Sequence, residues 1–325
     1  MGHKAWLRGR GRSSVWPSSA QRGSRHSPGL QPPAAGKMCA AAAEAERYAA
    51  RRRVRLILSR KGFDSSSASG GCASPILPDG QMISLPIPHA EARVAYSGLQ
   101  PRGLDVAHIV ADLTRDRVAV DQSAHLDPDL DGTARSRRSG WVPAFGQDSI
   151  AQRHLHRMGV GVDDLFLFFG WFRNVELVHG RYRYCAKATD LHVLFGWLRV
   201  GQVLRIGPDP IPEWLRDHPH AVRDCWPHNT VYLAKGSDAG GVFSTFKPEL
   251  VLTEPGRSRS VWLLPSDFMP GSRPALTYHQ APWRWTATDN GCRLQSVPKG
   301  QEFVLDLGSY PEVHRWAEAK MPAAA

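Results

Sequence analysis

Two long apolar runs constrain the fold of this chain more than any other feature. Residues 162–172 read VDDLFLFFGWF, and residues 190–206 read DLHVLFGWLRVGQVLRI. Runs this apolar predict strands that are covered by other parts of the protein on both faces. We expect the second strand to bend at Gly196 or Gly201, because glycine inside a strand marks a bulge or a close backbone approach. The two runs therefore predict a strongly coiled sheet with a buried centre.

Around these runs, turn signals and short apolar segments alternate at close spacing from Val54 onward. This pattern predicts a β-rich single domain of the α+β class with a few helices. Four smaller elements are predicted with it: a hairpin-like turn at Asp79-Gly80, a helix over residues 146–159 with Asp148 or Ser149 as its N-cap, a strand over residues 228–234, and a C-terminal helix with Ser309 and Glu312 in capping-box spacing.

The charge of the chain is concentrated at its N-terminal end. Residues 1–53 contain eleven lysines and arginines and two glutamates, so they carry +9 of the formal net charge of +11. We predict a disordered basic leader over residues 1–53, one domain over residues 54–318 and a tail over residues 319–325. A start codon assigned too far upstream, with Met38 as the true start, explains the leader better than a transit peptide. The near-neutral domain argues against attraction of nucleic acid by its whole surface.

Cysteine usage and hydropathy indicate the compartment. The five cysteines are far apart and form no CxxC pair, which argues against a structural zinc cluster and a disulfide framework. No apolar run reaches the roughly 18 residues that a membrane span needs. We therefore predict a cytoplasmic protein without a membrane partner.

The first polar cluster follows a short apolar strand in the segment VRLILSRKGFDSSSASGG. Arg60, Lys61, Ser65 and Ser66 are the residue types that hold a phosphate, through a guanidinium fork, a point charge and hydroxyl groups. Asp64 suits a catalytic base or a carboxylate that bridges to a metal. The alternative is a salt-bridged loop in which Asp64 neutralises Arg60.

The second polar cluster is the segment HLDPDLD. His125, Asp127, Asp129 and Asp131 alternate, so an extended segment would place all four on one face. Such a face suits an oxygen-preferring divalent metal or a His–Asp acid/base pair. Pro128 instead favours a turn in which the aspartates cap backbone N–H groups. We take His125 and Asp127 as catalytic candidates and assign no metal ligands.

Further candidates are scattered along the chain. Gln147 is expected on the helix before the first long strand, on the face of His154, and Asp190 and Trp197 lie in the second long strand. A base could stack on Trp197 and present its edge to Asp190 or Gln147; the alternative for Trp197 is plain burial in an aromatic core.

Two more features concern buried charge and metal binding. Glu302 opens a strand, and a buried carboxylate needs a partner, for which Arg60 and Lys61 are the candidates; Glu302 is thus a further catalytic candidate. The HPH triplet at residues 218–220 could seed a zinc site, but no HExxH motif or cysteine pair completes it. No dinucleotide, nucleophile-elbow or deaminase motif is present.

Seven segments together resemble the third type of the nucleotide modification associated domain family: LILSRKGFDSS, SPILPDGQMISLPIP, HLDPDL, DLFLFFGWFR, DLHVLFGWLRVGQV, HNTVYLA and GQEFVLD. The resemblance covers roughly residues 54–316. It implies a bacterial or phage-derived enzyme or accessory factor of DNA base modification, with a nucleotide or DNA and other DNA-modification enzymes as partners. It supplies no mechanism, so the cofactor stays unknown.

A second, shorter likeness leaves a different function open. The helix, the first long strand and the VGQV of the second are similar to barrels of the PUA and EVE type, which bind nucleic acids or modified bases. The leading hypothesis is an enzyme that modifies a nucleotide or DNA base. The alternative is a non-catalytic PUA-like module that recognises modified bases.

Overall fold

The structure is a computed structural model, and it describes residues 53–322 except residues 67, 69, 223–226 and 299. The predicted disordered leader lies, apart from Arg53, outside the described residues.

The described chain consists of two long strands, many short strands and few helices. The strands are β1 (Arg55–Arg60), β2 (Ser74–Ile76), β3 (Ile87–Pro88), β4 (Val94–Ala95), β5 (Ser123–His125), β6 (Ala144–Gln147), β7 (Leu165–Val178), β8 (Arg181–Tyr184), β9 (Leu191–Arg205), β10 (Thr230–Ala234), β11 (Gly240–Val242), β12 (Val261–Leu264), β13 (Trp285–Thr288), β14 (Gly291–Gln295) and β15 (Glu302–Asp306). The helices are α1 (Val106–Thr114), α2 (Ser149–Arg157) and α3 (Pro311–Glu318).

A mixed sheet forms the centre of the described chain. Its strand order is β15-β1-β7-β9-β10-β6, with β2 and β8 also paired to β7 and β11 to β9. Strand β1 runs antiparallel to β15 and parallel to β7. Two three-stranded sheets accompany it, β12-β14-β13 and β3-β5-β4. The predicted β-rich fold is confirmed, whereas the described strands form an open series and no closed barrel.

The two apolar runs are the long strands β7 and β9. All five side chains from Leu165 to Phe169 are fully buried, as predicted for a strand covered on both faces. The sequence predicted a bend at Gly196 or Gly201, and the register of β9 shifts beside Gly196 against β7 and at Gly201 against β10. A Cβ atom at Gly201 would lie 2.3 Å from Lys235 Cα, so only glycine fits there.

The turn at Asp79-Gly80 is also confirmed. Gly80 has φ +83°, and its N–H donates to the carbonyl of Leu77 at 2.9 Å.

The helices differ from the prediction in their boundaries. Helix α2 begins after Asp148, so Gln147 ends strand β6 and the prediction of Gln147 on a helix is wrong. Helix α3 begins at Pro311 with Tyr310 as its N-cap and no side-chain cap; Ser309 lies one residue too early for a capping box. Helix α1, capped by Asp105, was not predicted. None of the described helices has the length and apolar character that crossing a membrane requires.

One buried histidine couples the fold to pH. His279 is fully buried; its Nδ1 lies 2.9 Å from the carbonyl of Thr277, and its Nε2 accepts from the N–H of Val297 at 3.2 Å. Burial lowers the pKa of this imidazole to about 4. Since a free imidazole titrates near 6.5, the contribution of neutral His279 to stability is complete above pH ~6.5 and is lost as pH falls towards ~4.

We therefore expect H279Q to flatten the fall in the free energy of unfolding between pH 7 and pH 4.5. Urea unfolding at a series of pH values measures this slope. H156Q, which changes an exposed histidine of α2, is the matched control and should follow the wild-type slope. A slope for H279Q equal to that of the wild type would contradict the assignment.

Candidate functional site

A buried carboxylate lies where the central strands end. Antiparallel pairing places Glu302, the first residue of β15, opposite Ser59 near the end of β1. The Glu302 side chain is 1% exposed, and its Oε1 lies 3.0 Å from Lys61 Nζ. Gln147 Nε2 donates to the same oxygen at 2.6 Å, while Glu302 Oε2 has no hydrogen-bond partner among the described residues. Three strand ends thus meet at one polar cluster.

Lys61 contacts an aromatic ring as well as the Glu302 carboxylate. Its ammonium lies 4.5 Å from the centroid of the Phe145 ring. The aromatic face and the carboxylate of Glu302 both attract the ammonium group. Lysine is therefore fixed in place beside the cavity described below.

A second cluster surrounds Asp127. Its Oδ1 accepts from the N–H of Gly146 at 2.6 Å and lies 3.3 Å from His218 Nε2. Its Oδ2 lies 3.9 Å from His125 Nε2 and 3.7 Å from His220 Nε2. Three imidazoles from two distant segments thus converge on one carboxylate.

The pKa values of this cluster follow from burial and its internal contacts. Burial opposes ionisation of Asp127, but the close imidazoles of His218, His220 and His125 outweigh it and hold the pKa of this carboxyl below its ordinary value. Burial lowers the pKa of His125 to about 3 and also lowers that of His220. Burial therefore favours the neutral form of these two imidazoles.

Both clusters face one cavity of about 490 Å³. Its wall includes Lys61 and Gln147 from the first cluster and His125, Asp127 and His220 from the second. The structure thus brings the end of β1, the HLDPDLD segment and the loop before β15 to one cavity, although they are far apart in the sequence. Glu302 lies behind this wall and reaches the cavity only through its contacts with Lys61 and Gln147.

A second cavity of about 900 Å³ adjoins the first and shares Arg60, Asp64 and Pro298 with it. Trp171 and Asp190 border this second cavity, with Trp171 Nε1 donating to Asp190 Oδ1 at 2.9 Å. The guanidinium of Arg259 lies 4.0 Å from the Trp171 ring centroid, and Arg257 lies on the same wall.

Arg60 forms the wall between the two cavities. Its two terminal nitrogens donate to the carbonyls of Pro298 and Val297 at 2.9 and 3.1 Å, and its buried Nε has no partner among the described residues. Burial and the nearby Arg259 lower its pKa, which Asp64 partly opposes. Arg60 therefore anchors the loop before β15, and less of its donor capacity is open to a phosphate than the sequence suggests.

The remaining residues of the first polar cluster lie at the rim. Asp64, Ser65 and Ser66 are exposed, and Asp64 Oδ1 accepts from the N–H of Ser66 at 2.7 Å. Asp64 borders both cavities and Ser65 the second.

Of the two alternatives for the HLDPDLD segment, the structure has the one that Pro128 favoured, since the chain bends there and the four side chains do not share one face. Asp129 accepts two hydrogen bonds from Arg137 at 2.7 and 2.6 Å, and Asp131 pairs with Arg102. His125 and Asp127 line the first cavity, whereas Asp129 and Asp131 do not.

Trp197 lies away from both cavities. It is 7% exposed, belongs to the main hydrophobic core and lines neither cavity wall. Conversely, the sequence did not place His218 and His220 beside Asp127. Their HPH triplet was recognisable, but its partner lies about ninety residues earlier in the chain.

The chain matches a known protein family. Residues 55–306 match the family model of nucleotide modification associated domain 3. The chain belongs to this family. All residues that line the two cavities lie within the matched range. The chain has no significant match among curated proteins or among solved structures.

From the Lys61–Glu302 ion pair we predict how substitutions change the free energy of unfolding. K61M leaves the Glu302 carboxylate buried without its cation and should lower the free energy of unfolding by about 3 kcal/mol. Adding E302Q removes the uncompensated charge and should recover at least about 1 kcal/mol in a double-mutant cycle. Urea unfolding measures all three variants.

K235M is the matched control, because Lys235 is exposed and lies outside both cavities. It should stay within about 0.5 kcal/mol of the wild type. Strictly additive losses in the double variant would show that the two side chains are not coupled.

Proposed function

We propose that this chain is an enzyme, or the catalytic part of one, that modifies a nucleotide or a base within DNA. The observation that carries the proposal is the first cavity, where Lys61, Gln147, His125 and Asp127 converge within the matched domain. The family supports a role in nucleotide modification. The choice of an enzyme rests on buried ionisable groups gathered around one cavity, an arrangement typical of catalytic sites.

The size and charge of the cavity suit a nucleotide. A volume of about 490 Å³ lies in the range of small-molecule sites. Lys61 would provide a point charge for a phosphate, and Arg60 would act from the wall shared with the second cavity, which Ser65 borders. Gln147, fixed by its hydrogen bond to Glu302, would present its amide to the edge of a base.

The catalytic roles would be divided by burial. Asp127 and Glu302 are enclosed carboxylates, and His125 stands beside the first. These three would handle protons or bound ions at the reacting atoms, while exposed Asp64 would act from the cavity mouth. The reaction would take place in the cytoplasm, alongside other DNA-modification enzymes.

The second cavity suits the strand that flanks a target base in DNA. Trp171 offers a stacking surface, Asp190 fixes its indole, and Arg257 and Arg259 offer positive charge for phosphates. Because the two cavities adjoin at Arg60, one strand could place a base in the first while its backbone follows the second.

The alternative, a non-catalytic PUA-like module that reads modified bases, has less support. Its proposed stacking residue Trp197 is buried in the core, and the described strands form an open series. It predicts binding without any change in the nucleosides.

The proposed function is tested by the nucleoside content of DNA. Cells that express the wild-type gene should contain a modified nucleoside, detected by mass spectrometry, that is absent without the gene. D127N should abolish it, because the carboxylate at the centre of the imidazole cluster is lost. D163N, an exposed carboxylate outside both cavities, is the control and should retain it. Identical nucleosides with and without the expressed gene would reject the enzyme proposal.

The DNA path through the second cavity predicts a salt effect. R259Q should weaken binding of single-stranded oligonucleotides and reduce the slope of log K against log salt by about 0.7, the value for one lost phosphate contact. Fluorescence anisotropy at several salt concentrations measures the slope. R183Q on β8, exposed and remote from both walls, should behave as the wild type. An unchanged slope in R259Q would place the strand elsewhere.

A further inference from the structure

We propose that His125, Asp127 and His220 bind a divalent transition-metal ion at the wall of the first cavity. The three side chains each offer one ligand atom, and these atoms all lie within 4.8 Å of one another. They come from the end of β5, the residues after it and the loop before β10. A catalytic role for the metal rests on the proposed function, whereas binding of the metal does not.

The distances fit an ion after a small contraction. Asp127 Oδ2 lies 3.9 Å from His125 Nε2 and 3.7 Å from His220 Nε2. With metal–ligand bonds of about 2.0–2.1 Å, the ligand atoms of a tetrahedral ion are about 3.3 Å apart. The two carboxylate–imidazole distances exceed this value by about half an ångström, and all three ligand atoms lie within 4.8 Å of one another.

The orientation of His220 is set by a partner on its far side. Its Nδ1 lies 2.8 Å from Asn229 Oδ1, while Asn229 Nδ2 donates to the His220 carbonyl at 2.7 Å. The second bond fixes the amide, so Nδ1 carries the proton and Nε2 presents its lone pair towards Asp127. A hydrogen bond of this kind behind a histidine is the usual support of a metal ligand.

The carboxylate is oriented in the same way. Gly146 N–H holds Asp127 Oδ1 at 2.6 Å, which leaves Oδ2 towards the imidazoles of His125 and His220. A Cβ atom on Gly146 would lie 2.3 Å from the His220 ring, so this close approach requires glycine. The backbone at Gly146 thus orients Asp127 and leaves room for the His220 ring.

The chemistry of the donor set matches a cation. Imidazole nitrogens and a carboxylate oxygen are ordinary ligands of a divalent metal. The ligand histidine His125 also has a buried Nδ1 without a hydrogen-bond partner among the described residues.

The ligand set indicates the class of metal and its use. Two imidazoles and one carboxylate suit Zn²⁺, Fe²⁺ or a similar ion better than Mg²⁺ or Ca²⁺. Three protein ligands leave a coordination position open, and the site borders the cavity proposed for the nucleotide. Water or the substrate could therefore reach the ion.

The test uses the untagged full chain after removal of metals with EDTA. Titration with Co²⁺ should give a visible absorption spectrum that saturates at one ion per chain, and Zn²⁺ should displace it. Elemental analysis after dialysis against Zn²⁺ should give the same stoichiometry. A wild-type chain that binds neither ion stoichiometrically would overturn the proposal without any need for variants.

Variants then locate the site. H125A, H220A and D127N should each abolish the saturable Co²⁺ spectrum, whereas H156A, an exposed histidine, should retain it. N229A should weaken binding about 10- to 100-fold, because it loosens a ligand without removing it. Circular dichroism checks that each variant folds. Undiminished binding in folded H220A or H125A would also overturn the proposal.

The two proposals fail separately. Stoichiometric Zn²⁺ binding that is lost in H220A, together with unchanged nucleosides in cells, would support the metal site and reject the enzyme. A modified nucleoside made by a chain that binds no metal would do the reverse.

Discussion

The antiparallel pairing of β1 with β15 is the constraint on which the site depends. It sets Ser59 opposite Glu302 and so places a carboxylate at the buried edge of the sheet. A charge in that position is costly unless it is paired and hydrogen-bonded. Lys61 and Gln147 satisfy it, and in doing so they tie the ends of β1 and β6 to the start of β15. The pairing of β1 with β15 thereby positions three strand ends beside one cavity.

The apolar sheet beneath these groups makes their interactions stronger. Phe145 lies under the ammonium of Lys61, and Phe169 and Phe303 lie near the guanidinium of Arg60. Aromatic rings exclude water and lower the local dielectric, so attraction and repulsion between charges are less screened. The buried strand β7 is thus part of the site as well as of the core, since it supplies Phe169.

The sequence predicted the features that depend on residues close to one another in the chain. The long apolar runs predicted β7 and β9 and a bend of β9 at a glycine. The need of a buried carboxylate for a cation suggested Arg60 or Lys61 as a partner of Glu302, and the partner is Lys61. Patterns with a period of 2 or 3.6 residues indicate which face of an element is buried, but not which loops meet. His125 and Asp127 were therefore candidates, while the arrival of His220 beside them depended on how distant elements pack.

The other differences between prediction and structure concern where an element ends, where the chain turns and whether a side chain is buried. The residues next to Gln147 in the sequence fit the end of a strand as well as the start of a helix. Only the pairing of Gln147 with Thr230 of β10 shows that it ends β6. For HLDPDLD, alternation predicted one face, but the turn at Pro128 sent Asp129 and Asp131 to Arg137 and Arg102. Trp197 fits a stacking platform and a core equally well on sequence alone.

The wall that Arg60 forms has a consequence for the size of ligand that the protein can hold. Its side chain and the loop carbonyls it binds separate two chambers that otherwise share a border. A short side chain at this one position would merge them into a single trough. A variant of this chain with that change would then hold a longer ligand on an otherwise unchanged scaffold.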